Sequence, residues 1–218
     1  MIQMFGVSMQ YKRDVEVLHN INMDVEKGEF VFLVGPSGAG KSTVLKLLYR
    51  GLVPSSGSIV VAGYNLSKIR NSKLPHFRRR LGVVFQDFKL LPHKTVEQNV
   101  AFSMRVTGAR RSQIKKNVER CLNWTGLKHR KNALPEDISG GEQQRTSIAR
   151  AIVNDPTLIL ADEPTGNLDP RLSLEIMHLF ERLNTRGTTV LVATHDINLV
   201  EQMEKRVIRI EKGKILEE

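Results

Sequence analysis

The sequence predicts an α/β chain, a parallel sheet with an antiparallel β-subdomain near its N-terminus and an inserted helical subdomain. Three observations predict it. Four continuous apolar runs, "FVFLVG" (30–35), "LGVVFQ" (81–86), "TLILADE" (157–163) and "TTVLVATH" (188–195), have the pattern of parallel strands buried on both faces. Two other stretches, "EVLHNINMDV" (16–25) and "GSIVVAG" (57–63), alternate as half-buried antiparallel strands do. From 93 to 154 the apolar spacing becomes helical and strand signals fall away.

The chain has 218 residues, 40% hydrophobic and 26% charged, enough for one good core with a small lobe attached. It reads as a single domain, 1–218, with core and β-subdomain from 1–86 and 156–218 and the helical subdomain from 87–155. The start, "MIQMFGVSMQYKRD", lacks the charged, then apolar, then small order of a signal peptide. No apolar run approaches the ~18 residues that span a bilayer. "TVEQNVAFSMRV", "SQIKKNVERCLNW" and "GEQQRTSIARAIV" are the three expected helices of the insertion. The only cysteine, Cys121, excludes an internal disulfide, which suits a reducing cytoplasm. Its helical spacing with Ile114, Val118 and Leu122 makes it a core residue, as is expected of Trp124. The tail "RVIRIEKGKILEE" reads as a closing hairpin around Lys212-Gly213.

The net charge of +10 is unevenly placed, with no acidic residue between Glu29 and Asp87 and six Lys or Arg within 68–80. Such a balance favours anionic partners, whether nucleotide phosphates, acidic lipid headgroups or nucleic acid. A solvated basic face is the alternative.

Each continuous run ends in a polar residue at the edge where parallel sheets bind ligands. After the first comes "GPSGAGKST": Gly35, Pro36, Ser37, Gly38, Ala39, Gly40, Lys41, Ser42 and Thr43. The match to G-x-x-x-x-G-K-[ST] behind a strand marks a phosphate-binding loop for a nucleoside triphosphate. Its glycines let the backbone wrap phosphates, Lys41 reaches the β/γ oxygens, and Ser42 ligates magnesium. "LILADE" ends on two carboxylates, Asp162 to hold Mg²⁺ through water and Glu163 to polarise an attacking water. Gln86 ends its run where it can contact the metal or the lytic water, and His195 ends its run within reach of a γ-phosphate. Tyr11 is a candidate for stacking on adenine, with ordinary packing as the alternative. "ISGGEQQR" (138–145) places Ser139, Gly140, Gly141 and Glu142 at a helix start, which forms a second anion-binding terminus.

Phosphate loop, Gln86, "ISGGEQQR", "ILADEP", "NLD" (167–169) and His195 occur in the order of the ATP-binding cassette ATPases, which the chain resembles over nearly its whole length. One departure is Ile138, where that family usually has leucine. The resemblance implies a P-loop NTPase (RecA-like) core. It also implies that two cassettes pair head to tail, so that Ser139, Gly140 and Gly141 of one copy cap the γ-phosphate held by the other. One loop and one signature per chain then imply a homodimer on ATP binding, with Asp169 at its interface. Within the family, "FQDFKLLP" resembles a bacterial cell-division branch, which implies a site on the cytoplasmic face of the membrane and an integral membrane partner. The coupling surface would be the groove between core and helical lobe, with Phe88, Leu90 and Leu91 as anchors. The same chemistry would serve a lipoprotein-release or small-molecule export complex. A soluble protein acting on nucleic acid fits less well, because such relatives are fused pairs or carry long coiled coils.

Overall fold

The computed structural model describes residues 1–12, 15–166 and 168–216. In chain order the strands are β1 (Ile2–Lys12), β2 (Val15–Val25), β3 (Phe30–Val34), β4 (Ser56–Val61), β5 (Tyr64–Asn65), β6 (Leu81–Val84), β7 (Leu158–Asp162), β8 (Thr189–Thr194), β9 (Arg206–Glu211) and β10 (Lys214–Leu216). The helices are α1 (Lys41–Leu48), α2 (Leu74–Arg78), α3 (Val96–Val106), α4 (Arg111–Trp124), α5 (Gly140–Ile152), α6 (Pro170–Asn184) and α7 (Ile197–Met203).

The central sheet has the order β10-β9-β3-β8-β7-β6. From β9 to β6 all pairs are parallel, and only β10 runs antiparallel. All five residues of β3 are buried, as its unbroken apolar run requires. Its side chains feed two cores by strict alternation. Phe30, Phe32 and Val34 join helices α3 to α7 on one face, while Val31 and Leu33 join α1 and the second sheet on the other.

That second sheet is antiparallel, in the order β2-β1-β4-β5. Its first strand is absent from the sequence reading, and the reason is a slip in periodicity. Ile2 and Met4 are buried, but so are Val7 and Met9, a change of phase across Gly6. Gly6 takes φ 57°, and the register with β2 shifts between Met4 and Val7. Such a bulge keeps apolar residues inward while breaking the alternation that marks a strand. The tail is a hairpin turning on Lys212 and Gly213, both with positive φ, but β9 also pairs with β3 and so completes the core sheet.

The three helices of the insertion lie between β6 and β7 in the chain. Thr95 caps α3 through a reciprocal pair, its hydroxyl accepting from Gln98 N at 3.3 Å while Gln98 accepts from Thr95 N at 3.1 Å. Their apolar faces are continuous with the sheet's core, so the lobe is packed on the sheet rather than tethered to it. Cys121 is buried there, and burial pushes its thiol up to about 11. It should resist a thiol reagent in the folded chain and react within seconds of unfolding, which a labelling time course with and without denaturant would read. Trp124 is half-buried beside the same core, with the Arg182 guanidinium 5.0 Å from its ring centroid.

Candidate functional site

The site lies beyond the carboxyl ends of β3, β7 and β8. After β3 the chain turns through the phosphate loop and enters α1 at Lys41 with no side-chain cap. The first-turn N–H groups of α1 therefore have no helical acceptor, the arrangement that receives anions. Two glycines make the loop fit. A Cβ on Gly35 would stand 2.1 Å from the Ile210 carbonyl, and Gly40 takes φ 109° with Leu18 pressed against it. Lys41 is 4% exposed, and its Nζ donates to the carbonyls of Gly35 at 2.7 Å and Pro36 at 3.1 Å. A buried ammonium needs such acceptors.

Glu163 joins three strands' ends at one carboxylate. Its Oε1 lies 3.4 Å from Lys41 Nζ and its Oε2 lies 3.2 Å from His195 Nδ1. The residue takes φ 44°, an unusual conformation for glutamate, fixed by its N–H donating to Ala193 O at 2.9 Å. One residue earlier, Asp162 accepts from the Ser42 hydroxyl at 3.0 Å. Burial raises the Asp162 pKa, as does the neighbouring Glu163 carboxylate, while the Ser42 hydrogen bond and Lys46 and Lys41 oppose the rise. A cation placed there would relieve that cost. Gln86 stands two residues beyond β6, not at its end, and is exposed. Its amide nitrogen lies beside Gly166 in the loop that follows Glu163. Tyr11, 47% exposed at the end of β1, places its hydroxyl 3.2 Å from Thr43 Oγ1. The side chain therefore borders the C-terminal end of the loop.

The helix start at "ISGGEQQR" has the capped shape its sequence predicts. Ser139 is the N-cap of α5, and its hydroxyl accepts from Glu142 N at 3.3 Å. Glu142 returns the bond, its Oε2 accepting from Ser139 N at 2.9 Å and from the Ser139 hydroxyl at 3.0 Å. Its other oxygen accepts from Arg130 Nε at 3.0 Å. Burial would raise the Glu142 pKa, but the hydrogen bonds from Ser139 and Arg130 outweigh it and hold the group low. Glu142 thus builds the cap from inside, while Ser139 and Gly140 are exposed. Gly141 is buried against Leu172 at the start of α6, and the α6 cap is Asp169, whose Oδ1 accepts from Leu172 N at 3.0 Å. Asn167, the first residue of "NLD", lies outside the described residues.

A groove of about 550 Å³ separates the core from the helical lobe, lined by Leu81, Val83, Phe85, Leu91, Phe102 and Val106 among others. Of Phe88, Leu90 and Leu91, it is Leu91 that lines it. Phe88 and Leu90 are half-buried. The sequence reading missed Phe102 and Val106, which are 44% and 69% exposed on α3. Their signal was available, since two large apolar residues at i, i+4 lie off the buried face set by Val100, Ala101 and Met104.

Residues 18–166 match the family model described as ABC transporter. The chain belongs to the ABC transporter family of ATPases. The cell division ATP-binding protein FtsE of Streptococcus pneumoniae serotype 2 is 51% identical over 215 residues, covering 99% of this chain and 94% of that protein. FtsE of Bacillus subtilis is 51% identical over 216 residues, 99% of this chain and 95% of the relative. Among solved structures, the ATP-binding cassette MJ0796, a dimer in a post-hydrolysis state bound to ADP and Pi, superimposes with a TM-score of 0.89 at 35% identity. The alignment covers 100% of this chain and 97% of that one. The ABC ATPase therefore has its phosphate loop, paired carboxylates and capped signature helix on one P-loop NTPase fold.

Proposed function

We propose that this chain is the ATP-hydrolysing subunit of a bacterial cell-division complex of the FtsE kind, in which two copies close on ATP and move an integral membrane partner resembling FtsX. The partner would pass that motion across the membrane to regulate cell-wall hydrolysis. The observation that carries the reading is Glu163, whose two oxygens meet Lys41 and His195 at the mouth of the phosphate loop. The near-full-length similarity to FtsE supplies the biological setting.

In this reading an entering triphosphate competes with Glu163 and the loop carbonyls for the Lys41 ammonium. Tyr11 stacks on the adenine, and the N–H groups of Lys41, Ser42 and Thr43 take phosphate oxygens. Ser42 and Asp162 offer oxygen ligands only, as Mg²⁺ prefers, with the remaining positions filled by water and phosphate. Among the described residues no cluster of three His, Cys, Asp or Glu competes for a metal. Bound Mg²⁺ supplies neutralisation of the charge spread over the β- and γ-phosphates. Glu163, released from Lys41, accepts the proton of the water that attacks the γ-phosphorus, and the bond to the ADP oxygen breaks. Gln86 positions that water or a metal ligand, and His195 holds Glu163 and the γ-phosphate in register. Ser139, Gly140 and Gly141 of the second copy close the site at the γ-phosphate, with Asp169 alongside.

The groove receives a short cytoplasmic helix of the membrane partner, an apolar anchor-in-groove mode. Among the described residues no helix is long and apolar enough to cross a membrane. Of the basic run, Arg78 donates to Tyr49 O and Arg50 O and Arg80 stacks over Tyr64, leaving exposed Lys68, Arg70, Lys73 and Arg79 for acidic lipid. Replacing both exposed anchors, Phe102→Ser with Val106→Ser, should spare basal ATP hydrolysis and lower recovery of the membrane partner by about tenfold or more, the usual cost of an aromatic anchor. A membrane pull-down beside an ATPase assay reads both. Full partner recovery by the folded variant would place coupling elsewhere.

A further inference from the structure

Helix α5 begins at the signature serine, yet its later turns reach back to both loops that leave the catalytic strands. The Gln144 side chain, fully buried, donates to the carbonyl of Pro164, one residue after Glu163. Two turns on, Arg150 donates through one terminal nitrogen to Phe88 O at 2.6 Å and through the other to Lys89 O at 2.5 Å. These carbonyls lie two and three residues after Gln86. Phe88 and Lys89 take φ 56° and 50°, consecutive left-handed residues without a glycine to favour them. Something must hold that conformation. A planar guanidinium with two parallel donors suits two adjacent carbonyls, and among the described residues Arg150 has no carboxylate partner. Arg150 is half-buried, burial lowers its pKa, and main-chain carbonyls are the acceptors its guanidinium meets. Lys89 and Arg150 both line the groove, which puts the clamp at its wall.

We propose that Arg150 is a positioning residue that fixes the segment after Gln86 to the signature helix, so that groove, Gln86 and Ser139 move as one unit. The proposal rests on the reading of the site as a composite ATPase and adds the residue that links its parts. A lysine at 150 has one ammonium and cannot span both carbonyls in the same plane. The left-handed pair would then relax toward ordinary φ and carry Gln86 out of register with α5. Nucleotide binding to one copy, which uses the phosphate loop, should not change.

The decisive variant is therefore Arg150→Lys, alone and with Lys89→Gly, because glycine adopts positive φ without help. Three measurements on the full chain separate the outcomes. Arg150→Lys should bind ATP within about twofold of the parent while its kcat and its ATP-dependent pairing in gel filtration fall about tenfold. Hydrogen exchange at residues 87–91 should accelerate with the rest of the sheet unchanged. Adding Lys89→Gly should recover most of the lost kcat and pairing, which an arginine serving only stability would not allow, since glycine in a loop costs further entropy. An unchanged kcat and unchanged exchange at 87–91 would overturn the proposal, as would a uniform rise in exchange with no recovery by glycine. The exchange measurement needs no turnover. A parent that fails to hydrolyse ATP would therefore count against the ATPase reading, while local exchange still decides the clamp.

Discussion

Glu163→Gln is expected to retain ATP binding and to slow hydrolysis by about 10²–10⁴-fold, the usual worth of a positioned base. The amide matches the carboxylate in size, so Lys41 and His195 keep a neighbour at 3.4 and 3.2 Å. What it loses is the ability to take a proton. It also loses the negative charge that competes with phosphate for Lys41, so ATP affinity should hold or rise. Closure is then intact while exit by hydrolysis is blocked, and the variant should accumulate as an ATP-bound dimer. Gel filtration with ATP and Mg²⁺, run beside a phosphate-release assay, checks both parts. Normal hydrolysis with only monomer in the column would remove Glu163 from the role of base.

The residues that meet in this site were legible in the sequence because parallel strands announce themselves twice. Burial on both faces makes them unbroken apolar runs, and the polar residue that ends each run lies at the ligand edge. Glu163 and His195 come together for that reason, though 32 positions separate them in a chain of 218. Strand β1 was hidden because its bulge at Gly6 breaks the alternation. The groove was half legible: the segment after Gln86 was recognised as its border, as Lys89 and Leu91 line it, but beyond the left-handed turn at Phe88 and Lys89 the exposed apolar residues of the lining, Phe102 and Val106, are on α3. Nothing in a residue pattern foretells that turn, since neither residue favours positive φ. The Arg150 clamp was hidden for the same cause. Its acceptors are main-chain carbonyls, which every residue has, so no partner type marks the pair in the sequence.

Lys41→Ala is expected to abolish productive ATP binding, raising the dissociation constant by about 10²-fold or more, which corresponds to about 2.7 kcal/mol. The loss exceeds that of a single cation. Lys41 is buried, and its ammonium is the positive group nearest Glu163 within the loop. Removing it takes away charge-assisted bonds to the phosphates, each worth about 1.5–3 kcal/mol. It also leaves the Glu163 carboxylate, 15% exposed, facing the incoming triphosphate without its counter-charge. Two negative groups would then meet at low dielectric. The two contributions can be separated by a cycle, because Glu163→Gln removes the repulsion but cannot restore the cation. In the Lys41→Ala, Glu163→Gln chain, ATP affinity should recover in part and hydrolysis should not. Nucleotide titration by calorimetry on the four chains, each shown to be folded by circular dichroism, reads the cycle. Unchanged affinity in Lys41→Ala would take the phosphate loop's lysine out of ATP binding. A double variant no better than Lys41→Ala would show that Glu163 does not face the phosphates.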